Sequence, residues 1–430
     1  MNKRLSPLAL LAVFVSTFVS AQDISGTWQG TLSQGEQHQR VILKFEKNAD
    51  GEWTGKYYSP DSRYHWGAVA RIDSVTLEGD ELKFVLPNRR SGYSGKLSRD
   101  GNSMEGTMMQ GQPQEFRLER ATPATEWKDP TPHRVQFVTV DKGVKLEVLD
   151  YGGSGRPLVF LAGGGLAAHV WDSFAPRFVP ACHVYAITRR GFGDSSAPGQ
   201  GYLADRLGDD VLAVLDALKL DRPVLVGHSI AGEELSSVGS RHPQRVSGLI
   251  YLDSAYSYAY YDSEHGDIDV DLADLRRKLA QLQVEQNSEV NKKLIHQVLD
   301  KDLPQYEADL RKKLKELEAE PADPSSSQES QPTGGTLGLM FGGFQKYTSI
   351  PVPILAIYAY PHALPPSLTD PKARAAMEAE DADYTGKQAD ALAKLPNARV
   401  VRLAHADHAI FQSNEEDVLR EMNAFLSSLH

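Results

Sequence analysis

With 430 residues, 41% of them hydrophobic and 24% charged, the chain has apolar material for two or three ordinary domains, which excludes a disordered or fibrous protein. Its formal net charge is −11. Lys3 and Arg4 are the only charges in the first 21 residues, so the remainder carries −13, which excludes nucleic acid and anionic membrane as partners recruited by charge.

In chain order, the first predicted element is an export signal over residues 1–21. Lys3 and Arg4 give it a positive start, Leu8 to Phe18 an apolar centre, and Val19-Ser20-Ala21 a small-residue cleavage pattern. Cleavage before Gln22 would give a secreted or periplasmic protein with no stable membrane insertion, the apolar run being short for a ~30 Å bilayer. Cys182 is the only cysteine, so no internal disulfide forms and core burial must hold the fold.

Residues 23–120 alternate polar and apolar positions between glycine-containing turns. Gly26 to Leu32, Arg40 to Glu46, Trp53 to Tyr58, Val75 to Leu86, Tyr93 to Leu97 and Phe116 to Arg120 read as strands. Asp50-Gly51, Gly79-Asp80 and Asp100-Gly101 read as turns, because these residues tolerate positive φ. The expectation is an antiparallel β meander or barrel, followed by a proline-rich linker over 121–132.

Residues 133–430 alternate short buried strands with amphipathic helices, the pattern of an α/β fold with a mostly parallel sheet and helices on both faces. The central strands expected are Leu158 to Leu161, Val184 to Ile187, Val224 to Val226, Leu249 to Leu252, Ile354 to Tyr358 and Val400 to Leu403. Leu207, Val211, Val214, Leu215 and Leu218 recur at helical spacing, as do Val418, Met422, Phe425, Leu426 and Leu429 in the last helix. Ser413 and Glu416 predict a capping box at that helix's start. Between about 257 and 350 no central strand appears; a charged helical stretch, Leu272 to Glu318, precedes a Ser/Pro-rich segment, Pro321 to Gly335, expected to be disordered. An insertion there reads as a cap over the carboxyl edge of the sheet, with a helical hairpin packed elsewhere as the alternative.

Val224-Leu225-Val226-Gly227-His228-Ser229-Ile230-Ala231-Gly232 carries the strongest chemical signal. A strand ends at Gly227 and a helix begins near Ile230, so Ser229 falls on a sharp turn with small residues two positions to either side. A helix starting beside Ser229 also aims free amides at any charge developing there. Here the chain resembles the α/β-hydrolase superfamily, from about Val135 to the C-terminus, and further motifs follow in that superfamily's order.

The resemblance implies that Ala162-Gly163-Gly164-Gly165 is the oxyanion loop, with backbone donors at Gly164 and Ile230, although Ala162 replaces the usual histidine. It makes Arg189-Arg190-Gly191-Phe192-Gly193-Asp194-Ser195 a structural bend, with Thr188 in an aspartate position and Arg190 bracing neighbouring loops. It places the general base at His408, in the loop after the last strand, ahead of His405. The loop after the seventh strand, Ala359 to Pro366, contains no carboxylate. Asp253, directly after the sixth strand as in haloalkane dehalogenases, is therefore the acid expected; Asp370, the Glu378 to Asp383 cluster and no acid at all stay open.

A serine at the elbow excludes the dehalogenase and epoxide-hydrolase branches, which use aspartate there. No metal-ligand spacing or dinucleotide fingerprint appears, so no cofactor is expected. The reading is a serine hydrolase of a small-molecule carboxylic ester, through an acyl-enzyme on Ser229. Trp171, Tyr256, Tyr260 and Tyr261 are candidates to line its pocket. An amide or peptide hydrolase, such as a prolyl aminopeptidase-like enzyme, and a non-catalytic binding protein on the same fold are the alternatives.

Overall fold

A computed structural model describes residues 23–34, 37–59, 70–72, 74–86, 91–110, 112–128, 131, 133–319, 335–366 and 368–429. The expected export signal, and the Ser/Pro-rich segment apart from Gly335, lie outside these residues. Among the described residues no helix is long and apolar enough to cross a membrane.

The N-terminal part is an antiparallel sheet of nine strands: β1 (Gly26–Gln34), β2 (Gln37–Lys47), β3 (Trp53–Tyr58), β4 (Ala70–Arg71), β5 (Ser74–Glu78), β6 (Glu81–Val85), β7 (Ser91–Leu97), β8 (Ser103–Gln110) and β9 (Gln112–Arg120). Its order, β4-β3-β2-β1-β9-β8-β7-β6-β5, curls into a nearly closed barrel around Trp28, Leu43, Phe45, Phe84, Tyr93 and Met104. Alternation drives this: in β6, Leu82 and Phe84 point inward while Glu81, Lys83 and Val85 point out. Val75 to Leu86 forms a hairpin that turns at Gly79, φ 63°, where the Gly79-Asp80 turn was expected. β8 is not among the strands expected from the sequence, and its Glu105 and Gly106 are residues with low strand preference. Gly106 lies directly opposite Gly95, and a side chain there would overlap the Ser94 carbonyl, so close strand approach explains its composition.

The second sheet contains β10 (Arg134–Asp141), β11 (Val144–Gly153), β12 (Arg156–Leu161), β13 (Cys182–Ile187), β14 (Val224–His228), β15 (Gly248–Leu252), β16 (Ile354–Ala359) and β17 (Ala398–Leu403). Its order is β10-β11-β13-β12-β14-β15-β16-β17, antiparallel at β10-β11-β13 and parallel thereafter. Every residue of β14, β15 and β16 is buried, because apolar layers cover both faces. The helices are α1 (Ala204–Ala217), α2 (Gly232–Arg241), α3 (Ile268–Val284), α4 (Ser288–Gln297), α5 (Leu303–Ala319), α6 (Gly335–Phe341), α7 (Pro371–Ala393), α8 (Ile410–Ser413) and α9 (Glu415–Ser428). Lys56 of the barrel meets Asp194 of the second part at 2.7 Å.

Two local expectations change. The capping box at Ser413 and Glu416 does not form: Asn414 is the N-cap of α9, and Ser413 Oγ donates to the Asn414 side chain while accepting from the Asp407 amide. The expectation of a helix over Trp171 to Phe178, after the glycine turn at 163–165, also changes: two 3-10 turns, Ala168–Trp171 and Ala175–Phe178, take its place, the second with Pro176 in its first turn. In the insertion, α3 to α6 supply the helices, yet Leu279, Leu310 and Leu314, spaced as if for burial, stay exposed.

Candidate active site

β14 ends at His228, and Ser229 opens a 3-10 turn, Ser229–Ala231, that runs into α2. Ser229 has φ 54°, a left-handed conformation that costs an L-residue about 1–3 kcal/mol and needs surrounding structure to hold it. That structure is close packing. A Cβ at Gly227 would lie 2.7 Å from Leu235 Cδ1 and 3.2 Å from Ala231 Cβ, and one at Gly232 would overlap the Ser254 carbonyl oxygen. Ser254 Oγ donates to the Ser229 carbonyl at 2.6 Å, fastening the loop after β15 to the elbow.

Asp253 begins that loop, fully buried and also left-handed, φ 47°. Its Oδ2 accepts from His408 Nδ1 at 2.5 Å, and its Oδ1 accepts from the Tyr256 hydroxyl at 2.8 Å and the Ala359 amide at 3.1 Å. Burial alone would raise the carboxyl's pKa. Hydrogen bonds from His362 and His408, then the attraction of positive charge at these rings when protonated, instead hold it well below the usual carboxylate range. His408 lies in the loop between β17 and α8. His228 ties that loop to the elbow: its Nε2–H donates to the His408 carbonyl at 3.1 Å, and the two rings are 4.7 Å apart. Burial, then repulsion from His408, pushes His228 down to about 3, so it is neutral at physiological pH. Ser229 and Asp253 thus follow the adjacent strands β14 and β15, and His408 follows β17, two places beyond β15 in the sheet.

His362 was not singled out from the sequence. The loop after β16 runs beside the loop after β17, with Tyr360 N–H donating to Leu403 O, His405 N–H to Pro361 O and Ala363 N–H to Ala406 O, each at 2.9 Å. This carries His362 to Asp253: its Nε2 meets Asp253 Oδ2 at 2.7 Å and its Nδ1 meets Asp381 Oδ1 at 2.8 Å. Asp381 belongs to the Glu378 to Asp383 cluster, and an exposed-looking acidic run on a helix carries no sign that one member turns inward. The other candidates lie elsewhere. Asp370 caps α7, accepting from the Lys372 amide, and His405 is exposed, 4.0 Å from Glu378.

The glycine loop adjoins the elbow. A Cβ at Gly163 would lie 2.8 Å from His228 Nδ1, and one at Gly164 3.4 Å from Ile230 Cγ2 and 2.9 Å from Leu337 Cδ2 of α6. Arg189 supplies the bracing that Ala162 cannot. It donates to the Ala162 and Gly163 carbonyls at 3.0 and 3.3 Å and makes a buried two-pronged pair with Glu234 of α2, 2.6 Å on each prong. Arg190 forms the corresponding pair with Asp210 of α1. Glu233, beside Glu234, is buried with neither carboxyl oxygen hydrogen-bonded; burial, then the neighbouring carboxylate, pushes its pKa well up and keeps it neutral.

Two proposed pocket residues are placed differently from expectation. Trp171 is fully buried against Phe160, Phe174 and Phe411, because its ring fills the layer beneath the sheet. Tyr256 is buried and spends its hydroxyl on Asp253, which makes it a support for that carboxylate. Tyr261 is buried too and donates to Asp271; with Ile230, Met340, Phe344 and the half-buried Leu337 and Tyr258 it packs in one apolar cluster.

Asp253 has all its lone-pair directions taken by four donors, so it offers nothing to an ion. His133, His169 and Asp172 also converge, but Asp172 accepts from the Tyr151 hydroxyl and His169, and His169 meets Glu147 with its other nitrogen. Hydrogen bonds account for that cluster.

A non-heme haloperoxidase of Rhodococcus erythropolis is 38% identical over 107 residues, 25% of this chain and 39% of that protein. A bifunctional esterase/perhydrolase of Acinetobacter calcoaceticus is 34% identical over 121 residues, 28% of this chain and 44% of that protein. The matches therefore span less than half the length of these relatives. The crystal structure of a bromoperoxidase from Bacillus anthracis aligns with 69% of this chain and 100% of its own, at 18% identity and a TM-score of 0.43. Residues 158–421, more than half of the chain, match the Alpha/beta hydrolase family, and the chain belongs to that family.

Proposed function

We propose that the protein is a serine hydrolase of carboxylic esters, with Ser229 as nucleophile, His408 as general base and Asp253 as the acid that orients it. The observation that carries this reading is the 2.5 Å contact of His408 Nδ1 with Asp253, beside an elbow whose serine is held at φ 54°. A carboxylate accepts only, so His408 Nδ1 carries the proton and Nε2 is left with its lone pair to act as base. Ser229 Oγ attacks the ester carbonyl while its proton passes to His408 Nε2. The same proton then goes to the departing alcohol, and water repeats the sequence on the acyl-enzyme. The amides of Gly164 and Ile230 would receive the oxyanion, one such donor being worth about 2.7–4 kcal/mol.

Labelling by a fluorophosphonate and hydrolysis of short aryl esters, both lost in Ser229→Ala, are the expected results. Faster turnover of aminoacyl amides than of esters would move the reading to a peptide hydrolase. The relatives named haloperoxidase and perhydrolase favour one second reading, hydrogen peroxide replacing water on the acyl-enzyme. It predicts peracid formation that also disappears in Ser229→Ala. On the strength of residues 1–21 we read the protein as secreted or periplasmic, which requires a mature N-terminus at Gln22 by mass spectrometry.

A further inference from the structure

One oxygen of Asp253 serves two histidines. Oδ2 takes His408 Nδ1 at 2.5 Å and His362 Nε2 at 2.7 Å, and the two rings are 6.2 Å apart. His362 faces a carboxylate with each ring nitrogen, Asp253 with Nε2 and Asp381 with Nδ1, and its own backbone N–H donates to Asp381 Oδ2 at 2.7 Å. Ionised carboxylates cannot donate, so both ring nitrogens must carry protons and His362 is an imidazolium. The hydrolytic steps described above give this cation no role.

We propose that His362, clamped between Asp253 and Asp381, is a positioning residue that holds the Asp253 carboxylate for His408 and offsets part of its charge, so that the base works to lower pH than an unshared aspartate would allow. This rests on the reading of Ser229, His408 and Asp253 as the reacting set.

The surroundings support the charge assignment. Burial opposes a cation at His362, but the hydrogen bond and charge of Asp253, then the charge and hydrogen bond of Asp381, bring it up to about 9. The other groups near the pair leave its charge intact. From the loop after β15, the Tyr256 hydroxyl lies 3.5 Å from His362 Nε2, but it donates to Asp253 Oδ1 and stays protonated. From the elbow, His228 is neutral. From α7, Tyr384 stacks on Tyr256, and Glu378 faces the exposed His405 of the loop after β17.

The magnitude follows from distance. Two unit charges 6.2 Å apart, in a medium of effective dielectric ~20, shift each other's titration by roughly two units, and the opposing charge of Asp381 trims this to about one to two. A cation at 362 disfavours protonation of His408, so its removal should raise the pH at which His408 loses its proton.

The test compares pH profiles of kcat/KM on an aryl ester for the wild type, His362→Gln and His362→Lys. Gln keeps a donor toward Asp253 without charge; Lys restores a cation. The acid limb is expected to move up by about one to two pH units in His362→Gln and to return toward the wild-type position in His362→Lys. An acid limb unmoved in His362→Gln, whatever its rate, overturns the proposal, as does an equal shift in both variants. If a variant is too slow to assay, NMR titration of the His408 Cε1 proton, assigned by its loss in His408→Gln, reads the same shift directly. Fluorophosphonate labelling of the wild type keeps the two readings apart. Absence of label at Ser229 refutes the hydrolase, while the His408 titration still decides whether His362 sets the ring's charge.

Discussion

Asp253 shows how one side chain can be committed on every side. His408, His362, Tyr256 and the Ala359 amide all donate to it, and it has no exposure to water. Asparagine at this position has one oxygen to accept with and an NH2 group that must face one of those donors. Asp253→Asn should therefore misorient His408 or reverse its tautomer and lower kcat on aryl esters by about 10³–10⁴-fold, with little change in KM. Full activity in that variant would remove Asp253 from the mechanism. Asp370→Asn should leave kcat within about twofold and cost roughly 1 kcal/mol of stability, since Asp370 caps α7.

At the level of elements, the site depends on how closely α2 approaches the loop after β15. Gly232 makes that approach possible: any Cβ would overlap the Ser254 carbonyl oxygen and crowd Ala259. Gly232→Ala must separate helix from loop and should cost about 3 kcal/mol or more in denaturant unfolding. Because Ser254 Oγ holds the Ser229 carbonyl, the same variant should lower kcat. A stability loss below 1 kcal/mol would show that the two elements separate easily. The sequence displayed the small residues at 227, 231 and 232 but not which one is in contact with backbone. Likewise the pattern Leu272 to Glu318 correctly indicated helices, while the exposure of Leu310 and Leu314 depends on what packs over α5.

Across the whole molecule, a polar cluster fastens the segment after the barrel to the second sheet. His133 meets Asp172 at 3.3 Å, and Asp172 accepts from the Tyr151 hydroxyl of β11 and from His169. His169 also meets Glu147, which takes the Thr188 hydroxyl at 2.6 Å. Burial opposes charge on His169, but the hydrogen bonds to Asp172 and Glu147 bring it up to about 10. A histidine raised in this way stabilises the fold fully below its unfolded value near 6.5, and that stability is lost as pH rises toward 10. His169→Gln should cost about 3 kcal/mol near neutrality by leaving the buried Glu147 carboxylate and the half-buried Asp172 without their shared cation. It should also flatten the decline in stability expected of the wild type between about pH 6.5 and 10. A parallel decline in both proteins would assign the alkaline loss to another group.

What the amino-acid sequence determined by itself was local: strands and helices from hydrophobic period, turns from glycine and aspartate, and a serine between a buried strand and a helix. These depend on neighbours within a few residues, so the chain displays them directly. The order of strands β14 to β17 then brought three distant segments to one edge, which put Asp253 against His408. Only the tertiary structure decided that Arg189 holds the Ala162 and Gly163 carbonyls, that Tyr256 donates to Asp253, and that His362 and Asp381 join it. Those contacts span from 3 to 109 positions along the chain and rest on hydrogen bonds of single side chains, which leave no periodic trace in composition.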